Sequence, residues 1–238
     1  MDTRPDLWED NASWWQEGFT EGADAEYEEQ ILPLAADLLA GRDDVLDVGT
    51  GEGQVARMLR RNGSRRVVGV DPTSAQISVA ARRGGGVAYL RAGAERLPFA
   101  DASFDAVVAC LVFEHVTEVD RSIREIARVL RDGGRFAFFL NHPLLQTPGS
   151  GWIDDQILDP PEQYWRIGPY LVEDVSLEEV EKDVFIPFVH RPLSRYVNAL
   201  AEAGLIVRRM LEPAPPPGFL ARATEYAEAA TIPACSCW

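Results

Sequence analysis

The chain has 238 residues, 46% apolar and 26% charged, the balance of a water-soluble globule with enough length for one α/β domain. Its 38 acidic and 23 basic residues leave a formal net charge of −15, which repels nucleic-acid backbones and anionic membranes. No apolar leader opens the sequence, the longest apolar runs have strand length, and three cysteines make no disulfide framework, so a cytoplasmic protein is expected.

Residues 1–22 are acidic and carry Trp8, Trp14, Trp15 and Phe19. The spacing of Tyr27, Ile31, Leu34 and Leu38 predicts a helix over 23–40, stopped by Gly41. Buried strands are predicted at 45–49, 67–71, 87–92, 104–112 and 135–140. Helices are predicted between them at 53–63, 74–84 and 119–134, the last closed by Gly133-Gly134. Apolar strands alternating with helices call for parallel strands and right-handed crossovers, hence an α/β, doubly wound sheet. The rhythm breaks at Asn141. Residues 143–190, rich in Pro, Gly and aromatics, read as an insertion on the substrate side with short strands at 170–175 and 184–189. A helix over 192–203, a strand over 205–211 and a helix over 219–230 follow. The expected organisation is one domain over 1–238: a cap (1–40), a ligand-binding core (41–142), the insertion (143–190) and a part completing the sheet (191–238).

The first strand runs into Asp47-Val48-Gly49-Thr50-Gly51-Glu52-Gly53. Three alternating glycines allow a tight turn and close approach to a ligand, and the loop opens a helix whose free N–H groups face that ligand. Asp71 closes the second strand about 20 residues on, where a carboxylate accepts from ribose hydroxyls. These parts describe an adenosine site at the carboxyl ends of parallel strands. A dinucleotide fingerprint needs glycine where Gln54 stands, and Asp47 would repel a pyrophosphate but suits a cationic group. After strand three, Ala94, Glu95 and Leu97 are placed to flank an adenine.

The segments DVGTGEGQVA, VVGVD, GAERLPFADASFDAVVA, FEHV and IREIARVLRDGGRFAF resemble, in order and spacing, the motifs of class I S-adenosylmethionine-dependent methyltransferases. The resemblance covers about residues 24–140. It implies a Rossmann-like seven-stranded sheet, S-adenosyl-L-methionine as cofactor and a small-molecule acceptor. It also implies a cofactor site built from Asp47, Gly49, Thr50, Gly51, Gly53, Asp71, Pro72, Gln76, Ala94, Glu95 and Leu97, with Leu111, Phe113 and His115 beside the methionine end. HRPLSRYVNALAEAG (190–204) is similar to the end of some small-molecule members.

Methyl transfer is an in-line displacement helped by alignment and a dry site, and a hydroxyl acceptor gains from one general base. The three histidines, His115, His142 and His190, all fall near predicted carboxyl ends of strands and are the acid/base candidates; a cap, a turn and an N′ position are their plain structural roles. Trp14, Trp15, Phe19, Asn141, Trp152, Trp165 and Tyr170 are candidate acceptor walls, and Arg191 a candidate partner for an acidic acceptor. No carboxylate or thiol stands at ligand spacing from a histidine, so no metal is expected. Asp159-Pro160-Pro161 lies after strand five and lacks the aromatic of nucleic-acid amino methyltransferases. Rival readings are an NAD-linked oxidoreductase and a non-catalytic cofactor-binding module. The terminal Ala-Cys-Ser-Cys-Trp reads as a poor core strand. A one-base frameshift near codon 234 would convert it from an apolar Arg-Leu-Leu-Val-Leu, and a damaged sheet edge is the expected consequence.

Overall fold

The computed structural model describes residues 6–20, 23–221, 231, 233 and 235–238. Two short helices, α1 (Asp6–Asp10) and α2 (Ala12–Gly18), precede a π-helical turn (Tyr27–Ile31) that runs into α3 (Leu32–Leu38). The core then alternates: β1 (Asp44–Val48), α4 (Gln54–Arg61), β2 (Arg66–Asp71), α5 (Ser74–Arg83), β3 (Ala88–Arg91), β4 (Phe104–Cys110), α6 (Val119–Val129) and β5 (Leu130–Asn141). Two hairpins follow, β6 (Gly151–Asp155) with β7 (Glu162–Arg166), and β8 (Asp174–Glu181) with β9 (Val184–His190). The chain closes with α7 (Leu193–Glu202), α8 (Pro217–Leu220) and β10 (Cys235–Cys237).

Among the described residues the main sheet has six strands, ordered β10-β5-β4-β1-β2-β3. β1 to β5 run parallel and β10 antiparallel to β5. All five residues of β1 are buried, as a central strand covered on both faces requires. One face packs Val48, Val70, Ile123, Ile126, Phe138 and Tyr196 together; the other packs Ile31, Ala35, Leu39, Ala56, Leu59 and Phe139. β1 and β4 meet in mid-sheet with α4 and α6 opening beyond their carboxyl ends, and that crevice is where a doubly wound sheet presents a ligand.

Four expectations need correction. The helix predicted over 119–134 ends at Val129, because Leu130 is already extended and pairs with Phe104, leaving Gly133 (φ +71°) to turn within the strand segment. The strand predicted over 170–175 lies at 174–181, and the β6–β7 hairpin was not foreseen. The strand predicted over 205–211 shrinks to one bridge, Leu211 with Cys237; Ile206 is 85% exposed, so an apolar run without a partner to bury it forms no strand. Where seven strands were expected, the described residues form six and a bridge. Where a damaged edge was expected at the C-terminus, the described residues form a paired one: Cys235–Cys237 pairs with Phe139–Asn141, and the Trp238 ring, 8% exposed, packs edge-on against Phe138 at 5.6 Å. The helix predicted over 219–230 falls mostly outside the described residues.

Candidate functional site

The turn leaving β1 is shaped by glycine. Gly49, Gly51 and Gly53 have φ of +69°, +54° and +87°, the left-handed region that other residues enter at a cost. A side chain at Gly49 would overlap Val112, so the loop can approach the end of β4 only with glycine there. Gly53 caps α4. Asp71 ties this turn to the next strand: its carboxylate accepts from Gly51 N at 2.9 Å and from Thr73 N at 2.8 Å. Asp47, 1% exposed, accepts from Thr50 Oγ1 at 2.7 Å and Ala56 N at 3.1 Å, both through Oδ2. Burial pushes the Asp47 carboxyl up to about 7 against those two hydrogen bonds, and the nearby acids Asp71 and Glu52 push the same way. Burial raises Asp71 as well.

Over this turn lies a cavity of about 370 Å³. The turn and β2 supply one wall; Ala94 and Glu95 supply a second; Leu111, Val112 and His115 supply a third. Its cover is aromatic. Trp15 and Phe19 stack at 4.4 Å, and Trp8 meets the His115 ring edge-on at 4.7 Å. The cover is fastened on two sides. Glu9 accepts from Ser74 N at 2.6 Å and Ala75 N at 2.8 Å, capping α5, and Gln16 Nε2 donates to Gln76 Oε1 at 2.8 Å. Across the cavity Asn11 Nδ2 donates to Phe185 O at 3.1 Å, and Trp14 Nε1 to Glu181 Oε2 at 2.7 Å. A second recess of about 250 Å³, lined by Thr117, Glu173, Asp174, Val175, Val189 and Arg191, shares Thr117 and Val189 with the first.

His115 stands at the cavity edge in the loop after β4. Its Nδ1–H donates to Pro187 O at 2.8 Å, which leaves the Nε2 lone pair free. Enclosure between Trp8 and Phe188 pushes the imidazole down to about 4, so it is neutral at physiological pH. Beside it, Glu114 is 4% exposed and pushed up to about 7 by burial; its Oε1 accepts from Asn141 N at 3.2 Å and Nδ2 at 2.9 Å.

A methyltransferase-domain family matches residues 46–138. The chain is 34% identical over 166 residues to a demethylmenaquinone methyltransferase of Thermobifida fusca, covering 63% of this chain and 68% of that protein. It is 32% identical to a 27-O-demethylrifamycin SV methyltransferase of Amycolatopsis mediterranei, covering 74% and 65%. It spans about half the length of two further demethylmenaquinone methyltransferases, from Thermotoga maritima and Thermus thermophilus. Among solved structures, an S-adenosylmethionine-dependent methyltransferase of Mesorhizobium loti superposes with a TM-score of 0.74 at 26% identity, covering 90% of this chain and 96% of that one. The chain belongs to the S-adenosylmethionine-dependent methyltransferases.

That membership sets the NAD-linked reading aside and makes S-adenosylmethionine the cofactor of this methyltransferase. The residues present fit such a ligand: a turn kept free of side chains, a cavity of matching scale, and a buried carboxylate whose charge lacks a cation. Of the cofactor residues expected from sequence, Asp47, Gly49, Thr50, Gly51, Asp71, Pro72, Gln76, Ala94, Glu95, Leu111 and His115 line the cavity. Three do not. Gly53 turns away against Tyr89, while Leu97 and Phe113 are core residues, 3% and 0% exposed.

The acceptor-side expectations separate more sharply. Trp15 and Phe19 line the methyltransferase cavity, but Trp14 is held outward by Glu181. Trp152 and Trp165 pair across the β6–β7 hairpin at 5.6 Å, away from the cavity. Asn141 is engaged by Glu114, and Tyr170 Oη accepts from Leu193 N at 2.8 Å. Of the three histidines only His115 lines the cavity. His142 Nε2 donates to Glu212 at 2.8 Å while its Nδ1 accepts from Leu144 N, and His190 Nε2 donates to Tyr170 O at 2.8 Å. Arg191, 3% exposed, is bonded to backbone carbonyls rather than open to an acidic acceptor. Among the described residues no three His, Cys, Asp or Glu side chains group as metal ligands, and no helix is long and apolar enough to cross a membrane. Sequence reasoning missed Trp8 and Tyr27 as cavity residues; nothing in the sequence marked Trp8 over its neighbours, and Tyr27 read only as part of an apolar helix face.

Proposed function

We propose that the protein transfers the methyl group of S-adenosylmethionine to a nucleophile on a small, largely apolar molecule, with His115 as the acceptor's base. The single observation that carries this reading is the state of His115: neutral, fixed through Nδ1, and free at Nε2 on the wall of an aromatic cavity. Asp47, Gly49, Thr50, Gly51 and Asp71 would hold the cofactor, with Pro72 and Gln76 beside them and Ala94 and Glu95 on the second wall. When bound, S-adenosylmethionine supplies an activated methyl group on a positively charged sulfur. Asp47 offers the negative charge that favours a cationic ligand. Trp8, Trp15 and Phe19 exclude water, which strengthens every electrostatic interaction inside the cavity. His115 Nε2 takes the proton of an acceptor hydroxyl, and the Nδ1–H bond to Pro187 O stabilises the imidazolium that results.

The acceptor occupies the side of the cavity bounded by α1, α2 and β9, so the N-terminal segment acts as cover and the 143–190 insertion as wall. Relatives named for demethylmenaquinone and 27-O-demethylrifamycin SV support a small-molecule acceptor, as does a net charge of −15 that disfavours nucleic acid. The test is turnover: the protein, S-adenosylmethionine and a metabolite panel, with S-adenosylhomocysteine read by mass spectrometry. Product with one class of acceptor is expected. Cofactor binding without product across the panel returns the non-catalytic reading, and full turnover by His115→Ala removes His115 from the chemistry.

A further inference from the structure

The His-Arg-Pro-Leu-Ser segment at 190–194 contributes no residue to the main cavity, yet its polar groups reach into the loop that carries His115. Arg191 Nη1 donates to Phe113 O at 3.2 Å, and Nη2 donates to Val116 O at 2.7 Å and Thr117 O at 2.8 Å. Two residues back along β9, Val189 N donates to Glu114 O at 2.7 Å. Two further back, Pro187 O accepts from His115 Nδ1 at 2.8 Å. Backbone groups of a strand alternate edges every two residues, so Pro187 and Val189 address the loop from the edge opposite the one paired with β8, and Arg191, just beyond the strand, continues the grip with its side chain. The loop is gripped at each residue from 113 to 117. A planar fork of donors is what allows one side chain to hold three carbonyls, and lysine has no equivalent. The Tyr196 ring, 5.9 Å from the guanidinium, supports it from α7.

We infer that Arg191 is a positioning residue: together with the free edge of β9 its guanidinium fixes the 113–117 loop and thereby aims His115 Nε2 into the cavity. This rests on the reading of His115 as the acceptor's base. Arg191 lines no part of the main cavity; it sets the geometry of a group that does. A base displaced by about 1 Å loses on the order of 100-fold in rate.

The experiment pairs Arg191→Lys with the unaltered protein. In the unaltered protein, NMR of nitrogen-labelled imidazole follows the His115 Nδ1–H resonance, assigned by its loss in His115→Gln, and hydrogen exchange follows the amides of Val189 and residues 113–117. The inference expects the Nδ1–H, the Val189 amide and the Arg191 guanidinium protons to exchange together, since they open as one unit. In Arg191→Lys it expects the Nδ1–H signal to broaden or vanish and loop exchange to accelerate. It also expects kcat to fall by about 10- to 100-fold, with calorimetric affinity for S-adenosylmethionine unchanged. Independent exchange of the three protons overturns the inference even if the variant fails to fold. A folded Arg191→Lys with the wild-type Nδ1–H signal overturns it as well. Failure of the underlying reading looks different: His115→Gln turns over at the wild-type rate while the exchange pattern stands.

Discussion

Asp47 gives the sharpest pH dependence. An aspartate with an ordinary value of 3.8 is held at about 7 because it is 1% exposed and faces Asp71 and Glu52. Its proton is bound in the folded chain and released in the unfolded one between those two values, so this group's contribution to stability is greatest below pH 4 and declines as pH rises to 7. At about 1.4 kcal/mol per tenfold change in proton affinity, the ionised carboxylate costs the empty protein roughly 4 kcal/mol at pH 8. A cationic ligand offsets that cost by pairing with the carboxylate. Below pH 7 such binding must expel a proton, so affinity for S-adenosylmethionine weakens by up to about tenfold for each unit of pH below 7 and levels off above it. Asp47→Asn keeps an oxygen for Thr50 and Ala56 but cannot ionise. In denaturant unfolding at pH 8 the empty variant is expected to be more stable than wild type by up to a few kcal/mol, while in calorimetry it binds the cofactor more weakly and without the pH slope. Equal wild-type affinity at pH 5.5 and 8, or an Asn variant that keeps the slope, refutes the reasoning.

Other outcomes follow from the same geometry. At saturating cofactor, kcat is expected to stay level from pH 8 toward 5 and fall near pH 4, because the His115 imidazole is held at about 4; an acid limb near 6.5 contradicts its enclosure. His115→Ala lowers kcat by about 100- to 10,000-fold for a hydroxyl acceptor, read by product formation at saturating substrates. Gly49→Ala, strained at φ +69° and overlapping Val112, costs on the order of 1–3 kcal/mol by thermal unfolding and abolishes cofactor binding by calorimetry. Trp238→Ala removes a ring packed on Phe138 and costs about 3–5 kcal/mol by denaturant unfolding, whereas a frayed sheet edge would show almost no loss.

Sequence gave away most of the sheet's first half, for a physical reason. β1, β2 and β4 are covered on both faces, so burial writes continuous apolar runs, and the glycines of 49–53 hold a left-handed turn that other residues enter only at a cost. Beyond Asn141 those constraints lapse. The β6–β7 hairpin is half open to solvent, and its ladder tolerates Asp154 and Glu162, so no apolar alternation announces it. The run Leu205–Leu211 reads as a strand yet pairs only at Leu211 and leaves Ile206 and Val207 exposed, because apolar content names a candidate for pairing and only topology supplies the partner. β10 is the converse: Cys-Ser-Cys carries little strand signal and is recruited by the open edge of β5. The cavity wall around the glycine turn was legible because it is written in contiguous motifs. The opposite side of the cavity was not, because it is assembled across the fold: Trp8, Tyr27, His115 and Pro187 line it from four segments, and a histidine's neighbours decide whether its second nitrogen stays open, as in His115, or is spent on a partner, as in His142.

A crystal structure of the chain bound to S-adenosylhomocysteine bears most directly on the central claim. The account predicts density for the nucleoside against Asp71 and the 49–53 turn, with the amino-acid end toward Asp47 and the sulfur facing His115. Density elsewhere on the molecule, or the nucleoside bound with its sulfur turned away from His115, contradicts it.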